Sequence, residues 1–540
     1  MLLTRRSLLV SASAVALAGP AGAARSQPGF SPKVRPLPLK AVRLKPSIYA
    51  TSVETNRRYL LSLEPDRLLH NFHKSAGLPP KGELYGGWEA MGIAGHTLGH
   101  YLSALALMFA QTGDQPARRR LRYIVSELRR IQQAHGDGYI GGTTVERGGK
   151  ILDGKVVFEE VRRGDIRANP FDVNGGWVPL YTWHKVHAGL VDAVRAGELD
   201  EAIPVLVGMS DYLATILESL SDEQLQRLLV AEHGGLNESY ADTYALTGNP
   251  KYLRLAERMR HRQVLDPLTQ GQNVLSDLHA NTQIPKVLGL ARLYELTGNR
   301  RDAAAARYFH QLVTKKHSYV IGGNSEREFF GPPDVLSTRL SDRTCEHCNS
   351  YNMLKLTRYL YAWQLDAALF DYFERTHLNH IMAQQHPETG LFVYYMPMAS
   401  GAKRTYSTPH DNFWCCVGSG MESHAKHGDS IYWEDGRTLF VNLFIPSTVD
   451  WAKGGLKLEL DTAFPFSEDV TLTLSKGRPE PLAIAVRIPG WAKGAQLKLN
   501  GGPAAFTRRN GYAVLSRRWR AGDRIELTLP MRVQVEPTPD

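Results

Sequence analysis

The sequence predicts a chain in two parts, an array of helical hairpins followed by an antiparallel β-sandwich. Three observations predict it. From about residue 50 to 380 apolar residues recur at helical spacing between short turns. Several of these segments close on a Thr-Gly-Asn or Thr-Gly-Asp stop. After about residue 435 they give way to short β-branched or alternating runs separated by Gly, Pro, Asn and Asp.

The segment from Thr97 to Gln111 shows the helical pattern, with Leu98, Leu102, Leu105, Ala106 and Phe109 in phase before Thr112-Gly113-Asp114. The stop recurs as Thr247-Gly248-Asn249 and Thr297-Gly298-Asn299, with Ala196-Gly197-Glu198 as a weaker copy. Glycine just past a helix enters the left-handed region without a Cβ penalty, and the following Asn or Asp can cap the next helix. Gly197, Gly248 and Gly298 lie about 50 residues apart, which suits a repeated helical hairpin. An open solenoid satisfies that pattern, and so does a closed α/α toroid. The change of character places a boundary at Glu434 to Gly436. Beyond it, strands are predicted at 437–446, 456–460, 470–474, 482–488, 495–499, 512–515 and 524–529, with Lys493-Gly494, Asn500-Gly501 and Asn510-Gly511 as turn signals.

At the N-terminus, Thr4-Arg5-Arg6-Ser7-Leu8-Leu9 supplies a charged start and an apolar stretch runs from Leu8 to Leu17. Ala21-Gly22-Ala23 supplies small residues for cleavage. This is the pattern of an export signal, and the paired arginines point to the twin-arginine route, which carries folded proteins to the periplasm or beyond; an ordinary Sec signal that happens to contain two arginines is the alternative. The apolar stretch falls short of the roughly 20 residues that a stable membrane span needs, and no other candidate span is read. The net charge is +10 with a pI of about 9.2. The basic residues are scattered among 54 acidic ones and the longest run is Arg118-Arg119-Arg120, so a nucleic-acid partner is not expected.

Four cysteines in 540 residues exclude a disulfide scaffold, and they fall in two tight pairs, Cys345 with Cys348 and Cys415 with Cys416. Soft thiolates beside Glu346 and His347 suit a tetrahedral Zn²⁺ site. Spacing leaves open whether all four cysteines bind, whether Glu346 or His347 replaces one, or whether the thiols oxidise. Adjacent cysteines make a strained disulfide, which counts against oxidation. A second cluster, Gly322-Gly323-Asn324-Ser325-Glu326-Arg327-Glu328-Phe329-Phe330, sets two carboxylates among glycines and aromatics. A carboxyl against apolar rings resists ionisation and suits a general acid, which favours Glu328 and leaves Glu326 as its rival. Patches of His and aromatic residues at helix ends fit a sugar cleft: Tyr85 to Glu89, Gly95 to Tyr101, Asp137 to Tyr139, Trp183-His184 and His279 to Gln283.

These residues resemble a known family. The runs YGGWE from Tyr85, GHTLGHYLSALAL from Gly95, GGLNESYADTYALTGN from Gly234, HANTQIPKVLGLARLYELTGN from His279, EHCNSYNMLKLTRYLY from Glu346 and FWCCVGSGMESHAKHGDSIYW from Phe413 are similar to those of the bacterial β-L-arabinofuranosidases, glycoside hydrolases with a zinc-bound cysteine nucleophile. The resemblance spans Leu44 to Met531. It implies an (α/α)6 barrel followed by a β-sandwich, which with the signal and the boundary read above divides the chain into a twin-arginine-type signal peptide and linker over 1–28, the barrel over 29–435 and the sandwich over 436–540. It further implies zinc ligands Glu346, Cys348, Cys415 and Cys416, with Cys345 a neighbour only, Cys415 as nucleophile and Glu328 as acid/base.

His279, Tyr394 and, less evenly aligned, His184 would contact the sugar, and Trp88, Glu89, His96 and His100 are cleft candidates from their motif. The substrate implied is a plant-derived glycan. Short β-1,2-linked arabinofuranosyl chains, pectic side chains or a related deoxy sugar would all suit. The competing readings are another (α/α)-barrel sugar enzyme and a noncatalytic periplasmic carbohydrate-binding protein with structural zinc. Many relatives continue with a further β region, whereas this sequence stops at Asp540.

Overall fold

The computed structural model describes residues 30–540, so the export signal read at Thr4 to Ala23 lies outside the described residues. Six helices form a closed ring: His96–Thr112, Pro179–Arg195, Leu236–Thr247, Ala280–Thr297, His347–Gln364 and Cys415–Ser423. Each packs on the next, and the last packs on the first. The toroid is therefore the form the hairpin repeat takes. Five outer helices return outside the ring: Gln115–His135, Ala202–Ser219, Pro250–Arg258, Arg300–Leu312 and Ala368–Thr376. The sixth outer position is filled by the first long helix among the described residues, Ile48–Ser62. Its Asn56 Nδ2 donates to Met421 O at 2.8 Å on the last inner helix.

The two layers differ as their surroundings require. The outer helix Gln115–His135 buries one stripe, Ala117, Leu121, Ile124, Leu128 and Ile131, at helical spacing, whereas His96–Thr112 is buried almost all round. Close approach inside the ring depends on glycine. A Cβ on Gly99 would stand 2.1 Å from the backbone carbon of Lys185 on the adjacent helix. Gly113, Gly248 and Gly298 end their helices at φ 78°, 72° and 75°, and the side chains of Asp114, Asn249 and Asn299 cap the helices that follow. In the weaker copy the left-handed residue is Glu198, at φ 54°, and not Gly197. Ala202–Ser219 alone among the described helices is long and apolar enough to cross a membrane, and its apolar side chains pack inside the fold.

The sandwich has a six-stranded and a seven-stranded sheet. It is not built only from the chain after 436. Arg35–Pro36 adds an edge to the first sheet and Val42–Leu44 an edge to the second. The stretch Glu434 to Gly436, read as a boundary, is a turn inside the first sheet, joining the paired strands Tyr432–Glu434 and Thr438–Val441. Of the strand predicted at 437–446 only Thr438–Val441 forms; the next strand, Ser447–Trp451, buried at alternate residues, begins beyond it and joins the other sheet. Pairing is antiparallel except between Thr438–Val441 and Arg478–Arg487, which run parallel. Asn500-Gly501 and Asn510-Gly511 have positive φ at both residues, as two-residue hairpins need.

The sandwich braces the ring. Arg487 is fully buried between Asp371 and Glu374 of the outer helix Ala368–Thr376. Tyr512 meets Tyr361 Oη at 2.7 Å on the inner helix His347–Gln364, whose first turn carries Cys348. Removing one partner of such a buried pair would strand a charge in the core.

Candidate active site

One end of the ring gathers the starts of its six helices around a pocket of about 220 Å³. Its wall takes a residue at or near each start: Ile93, Tyr181, Glu232, His279, Glu346 and Cys415. Helix N-termini carry a partial positive charge and unpaired N–H groups, so this end of the ring favours anions. Cys415 and Cys416 are the first two residues of their helix, and Cys348 is second in its own, where thiolates gain from that field.

The four residues Glu346, Cys348, Cys415 and Cys416 place one ligand atom each within 4.8 Å of one another, all buried. All four cysteines of the chain are free. Cys348 Sγ lies 3.4 Å from Cys416 Sγ, Cys415 Sγ lies 3.9 Å from it, and Glu346 Oε1 is 3.7 and 3.9 Å from Cys415 and Cys416. A tetrahedral zinc with Zn–S of about 2.3 Å and Zn–O of about 2.0 Å would set its sulfurs about 3.8 Å apart and sulfur to oxygen about 3.5 Å. The second carboxyl oxygen of Glu346 is buried with no hydrogen-bond partner. The residues therefore fit a metal ion. Their ionisation fits it too. The hydrogen bond with Cys348 and burial push Cys415 up, and burial and neighbouring charge do the same for Cys416 and Glu346. Burial also acts against the Cys348 thiolate, but the thiols of Cys415 and Cys416 outweigh it and bring Cys348 down to about 7. Four anions can share this volume only around a cation. Cys345 is buried outside the cluster, beside His380 and Gly323.

Glu328 reaches the pocket through a two-residue hairpin. Glu326 N–H donates to Phe329 O, and Phe329 N–H donates to Glu326 O, both at 3.1 Å. Arg327 and Glu328 at its tip have φ of 49° and 73°. Such a turn normally uses Asn-Gly, so the strain of two larger residues is held by the surroundings. Phe329 bridges to His279 and Glu326 to Thr344, and Ala280 N–H donates to Glu328 O at 2.7 Å. The turn sends its two carboxylates apart. Glu328 lines the pocket, whereas Glu326 lines an outer groove, accepts from Ser341 Oγ at 3.0 Å and pairs with Arg327.

Tyr394 links the two halves of the site. Its hydroxyl donates to Glu328 and lies 3.3 Å from Cys415 Sγ. His279 accepts Thr282 N–H on Nδ1, which leaves the Nε2 proton directed at Glu328, 3.7 Å away. His279, Glu328 and Glu346 also come within 4.8 Å of one another, but that tautomer makes His279 a donor and not a metal ligand. Burial alone would raise the pKa of Glu328. His279 and Tyr394 outweigh it, and the net shift is downward.

Trp88, His279 and Tyr394, expected in the cleft, line the pocket; Glu89, His96, His100 and His184 do not. Glu89 and His96 sit behind Trp88, buried against each other at 3.6 Å. His100 and His184 lie about one turn or more into their helices and face a separate chamber of about 410 Å³ inside the ring. There His100 Nδ1 holds Glu422 at 2.5 Å. Apart from Asn281, which belongs to the patch from His279 to Gln283, the rest of the pocket wall was not singled out from sequence. Trp177 stands edge-on to Trp88 at 5.0 Å, Phe171 covers His279 at 5.0 Å, and Tyr181 and Asn281 complete the wall. The buried carboxyl of Glu232 also lines it, held by burial toward its neutral form. Rings for C–H faces beside a few polar groups are what a small sugar needs.

A family model described as the catalytic domain of GH127 β-L-arabinofuranosidases matches residues 41–429, and one for their middle domain matches 438–531. Among solved structures, the chain is similar to a GH127 β-arabinofuranosidase at 18% identity, with 93% of this chain and 81% of that one covered and a TM-score of 0.73. A GH127 β-L-arabinofuranosidase from Geobacillus stearothermophilus T6 matches at 20% identity, with 92% and 83% covered and a TM-score of 0.70. At these identities the structural likeness is one of fold. No curated protein matches the sequence.

Proposed function

Because the chain belongs to the GH127 β-L-arabinofuranosidase family of glycoside hydrolases, we propose that it releases L-arabinose with retention from non-reducing-end β-L-arabinofuranosides of plant cell-wall glycans, with Cys415 as nucleophile and Glu328 as acid/base. One observation carries the reading: a single hydroxyl, that of Tyr394, bonds Glu328 and lies 3.3 Å from Cys415 Sγ. Two such contacts in series suit the roughly 5–5.5 Å separation of retaining pairs.

Glu328 gives its proton to the departing glycosidic oxygen while the Cys415 sulfur attacks the anomeric carbon; the C–O bond breaks and a C–S bond forms. Glu328, now a carboxylate, takes a proton from water as that water attacks the same carbon and frees the sulfur. Glu346, Cys348, Cys415 and Cys416 would hold Zn²⁺, which when bound supplies the charge that keeps their sulfurs anionic at neutral pH. The apolar rings of Trp88, Trp177 and Phe171 exclude water and cover the sugar, while His279 and Glu232 offer hydrogen bonds to its hydroxyls. The pattern from Thr4 to Ala23 supports a place of action in the periplasm or beyond.

Cys415→Ala and Glu328→Gln should each abolish arabinose release from an aryl β-L-arabinofuranoside while leaving the fold intact. Full activity in the Cys415 variant removes the mechanism. Glycan binding without turnover by the zinc-loaded protein, across a panel of arabinosides, removes the enzymatic reading for these substrates.

A further inference from the structure

The three sulfurs of the cluster are not equivalent. Cys415 Sγ faces the pocket and meets Tyr394 there. Cys348 borders the 410 Å³ chamber instead, together with Ser419. Ser419 Oγ lies 3.1 Å from Cys348 Sγ and 2.9 Å from His347 Nδ1, and His347 Nε2 lies 3.3 Å from Ser423 Oγ. All four residues are at least nine-tenths buried. Ser419 and Ser423 follow Cys415 at four and eight residues, so one face of that helix carries all three. His347 and Cys348 open the facing helix.

One assignment of protons satisfies this chain once Cys348 is a metal-bound thiolate, which rests on the reading above. A thiolate can only accept, so the single proton of Ser419 goes to sulfur. Ser419 Oγ then accepts from His347 Nδ1–H, and His347 Nε2 accepts from Ser423 Oγ–H, whose other acceptor is Gly420 O at 3.2 Å. A hydrogen bond to a thiolate withdraws electron density from it and weakens its donation to the ion. Neither Cys415 nor Cys416 has a scaffold hydroxyl on its far side; apart from Tyr394, their partners are the cluster's own atoms.

We propose that Ser419, oriented by His347, is a positioning residue of the metal centre: it donates to Cys348 from the side away from substrate and so sets how strongly that sulfur holds the ion and, through it, Cys415. Ser419 does not line the substrate pocket, so its effect should fall on kcat and on the metal and not on KM.

The test loads the protein with Co²⁺ in place of Zn²⁺ and records the sulfur-to-cobalt charge-transfer band, the Co²⁺ affinity and the zinc-enzyme kinetics. Without the hydroxyl the sulfur is a stronger donor, so Ser419→Ala should move the band to longer wavelength. The lost bond also no longer holds that sulfur in place or stabilises its anionic form against protonation, and this outweighs the stronger donation, so metal binding at neutral pH should weaken about 10- to 100-fold and kcat should fall with KM retained. Ser419→Thr should restore band, affinity and kcat. His347→Phe, which frees the hydroxyl from its orientation, should shift the band in the same direction and serves if Ser419→Ala does not fold. A folded Ser419→Ala protein with the wild-type band and affinity overturns the proposal while leaving the metal reading standing. If the wild-type protein itself shows no sulfur-to-cobalt band, the metal reading fails and takes this one with it.

Discussion

Tyr394→Phe tests the link between the two halves of the site. It removes one hydroxyl from a ring packed against Tyr395 and Trp414 at 4.5 and 5.7 Å, so the ring itself should stay in place. The lost bond runs to a carboxyl, and hydrogen bonds to charged groups are worth about 1.5–3 kcal/mol. If that bond works fully in the first transition state, kcat/KM on an aryl β-L-arabinofuranoside should fall about 10- to 150-fold. The pH profile should move as well. Burial raises the pKa of Glu328, while His279 and Tyr394 pull it down. Without the Tyr394 bond the carboxyl keeps its proton to higher pH. The first step needs that proton, so the alkaline limb of kcat/KM should shift upward. A Phe variant within twofold of wild type, with both limbs unmoved, would refute the assignment of Glu328 and Cys415 as partners through this hydroxyl.

Glu232→Ala should raise KM for small arabinofuranosides about tenfold or more, since a buried carboxyl facing the sugar is lost; steady-state kinetics with KM unchanged would place Glu232 outside substrate recognition. Gly99→Ala should cost about 1–3 kcal/mol or more by overpacking, read as a lower melting temperature, because the added Cβ would meet Lys185 backbone at 2.1 Å. Burial holds His187 and His424 down to about 3, and His377 and His380 down to about 4. The unfolded chain binds protons below about pH 6.5 and the folded one does not, so their stabilisation is full above that pH and is lost as pH falls toward the folded values. One unit below costs about 1.4 kcal/mol per histidine, or about 6 kcal/mol for the four by pH 5.5. Thermal melts from pH 7.5 to 5 that stay flat would contradict this.

What could be read from the sequence was what local chemistry decides. The glycine stops at 113, 248 and 298 and their Asp or Asn partners act within a few residues, so they announce helices and caps directly. The ring's closure was not local: Ile48–Ser62 completes the outer layer against a helix near residue 420, and no spacing rule reports that. The edge strands Arg35–Pro36 and Val42–Leu44 are too short to show alternation and exist through partners some 400 residues away. Glu326 and Glu328 look alike in sequence because the turn between them lacks the usual Asn-Gly; once the hairpin is seen, their opposite directions follow. His100 and His184 mislead because a helix rises about 1.5 Å per residue, and a turn or more in depth moves a side chain from the pocket to the chamber behind it. Glu232 carries no signal at all, since a lone carboxylate before a helix is ordinarily a surface residue.

The proposed mechanism depends on one ion held by three sulfurs and one carboxylate. X-ray absorption at the zinc edge on the purified, metal-loaded protein tests that most directly. It should return about three Zn–S distances near 2.3 Å and one Zn–O near 2.0 Å, with one Zn–S lost in Cys348→Ala. A shell of nitrogen and oxygen alone, or one that Cys348→Ala leaves unchanged, would contradict it.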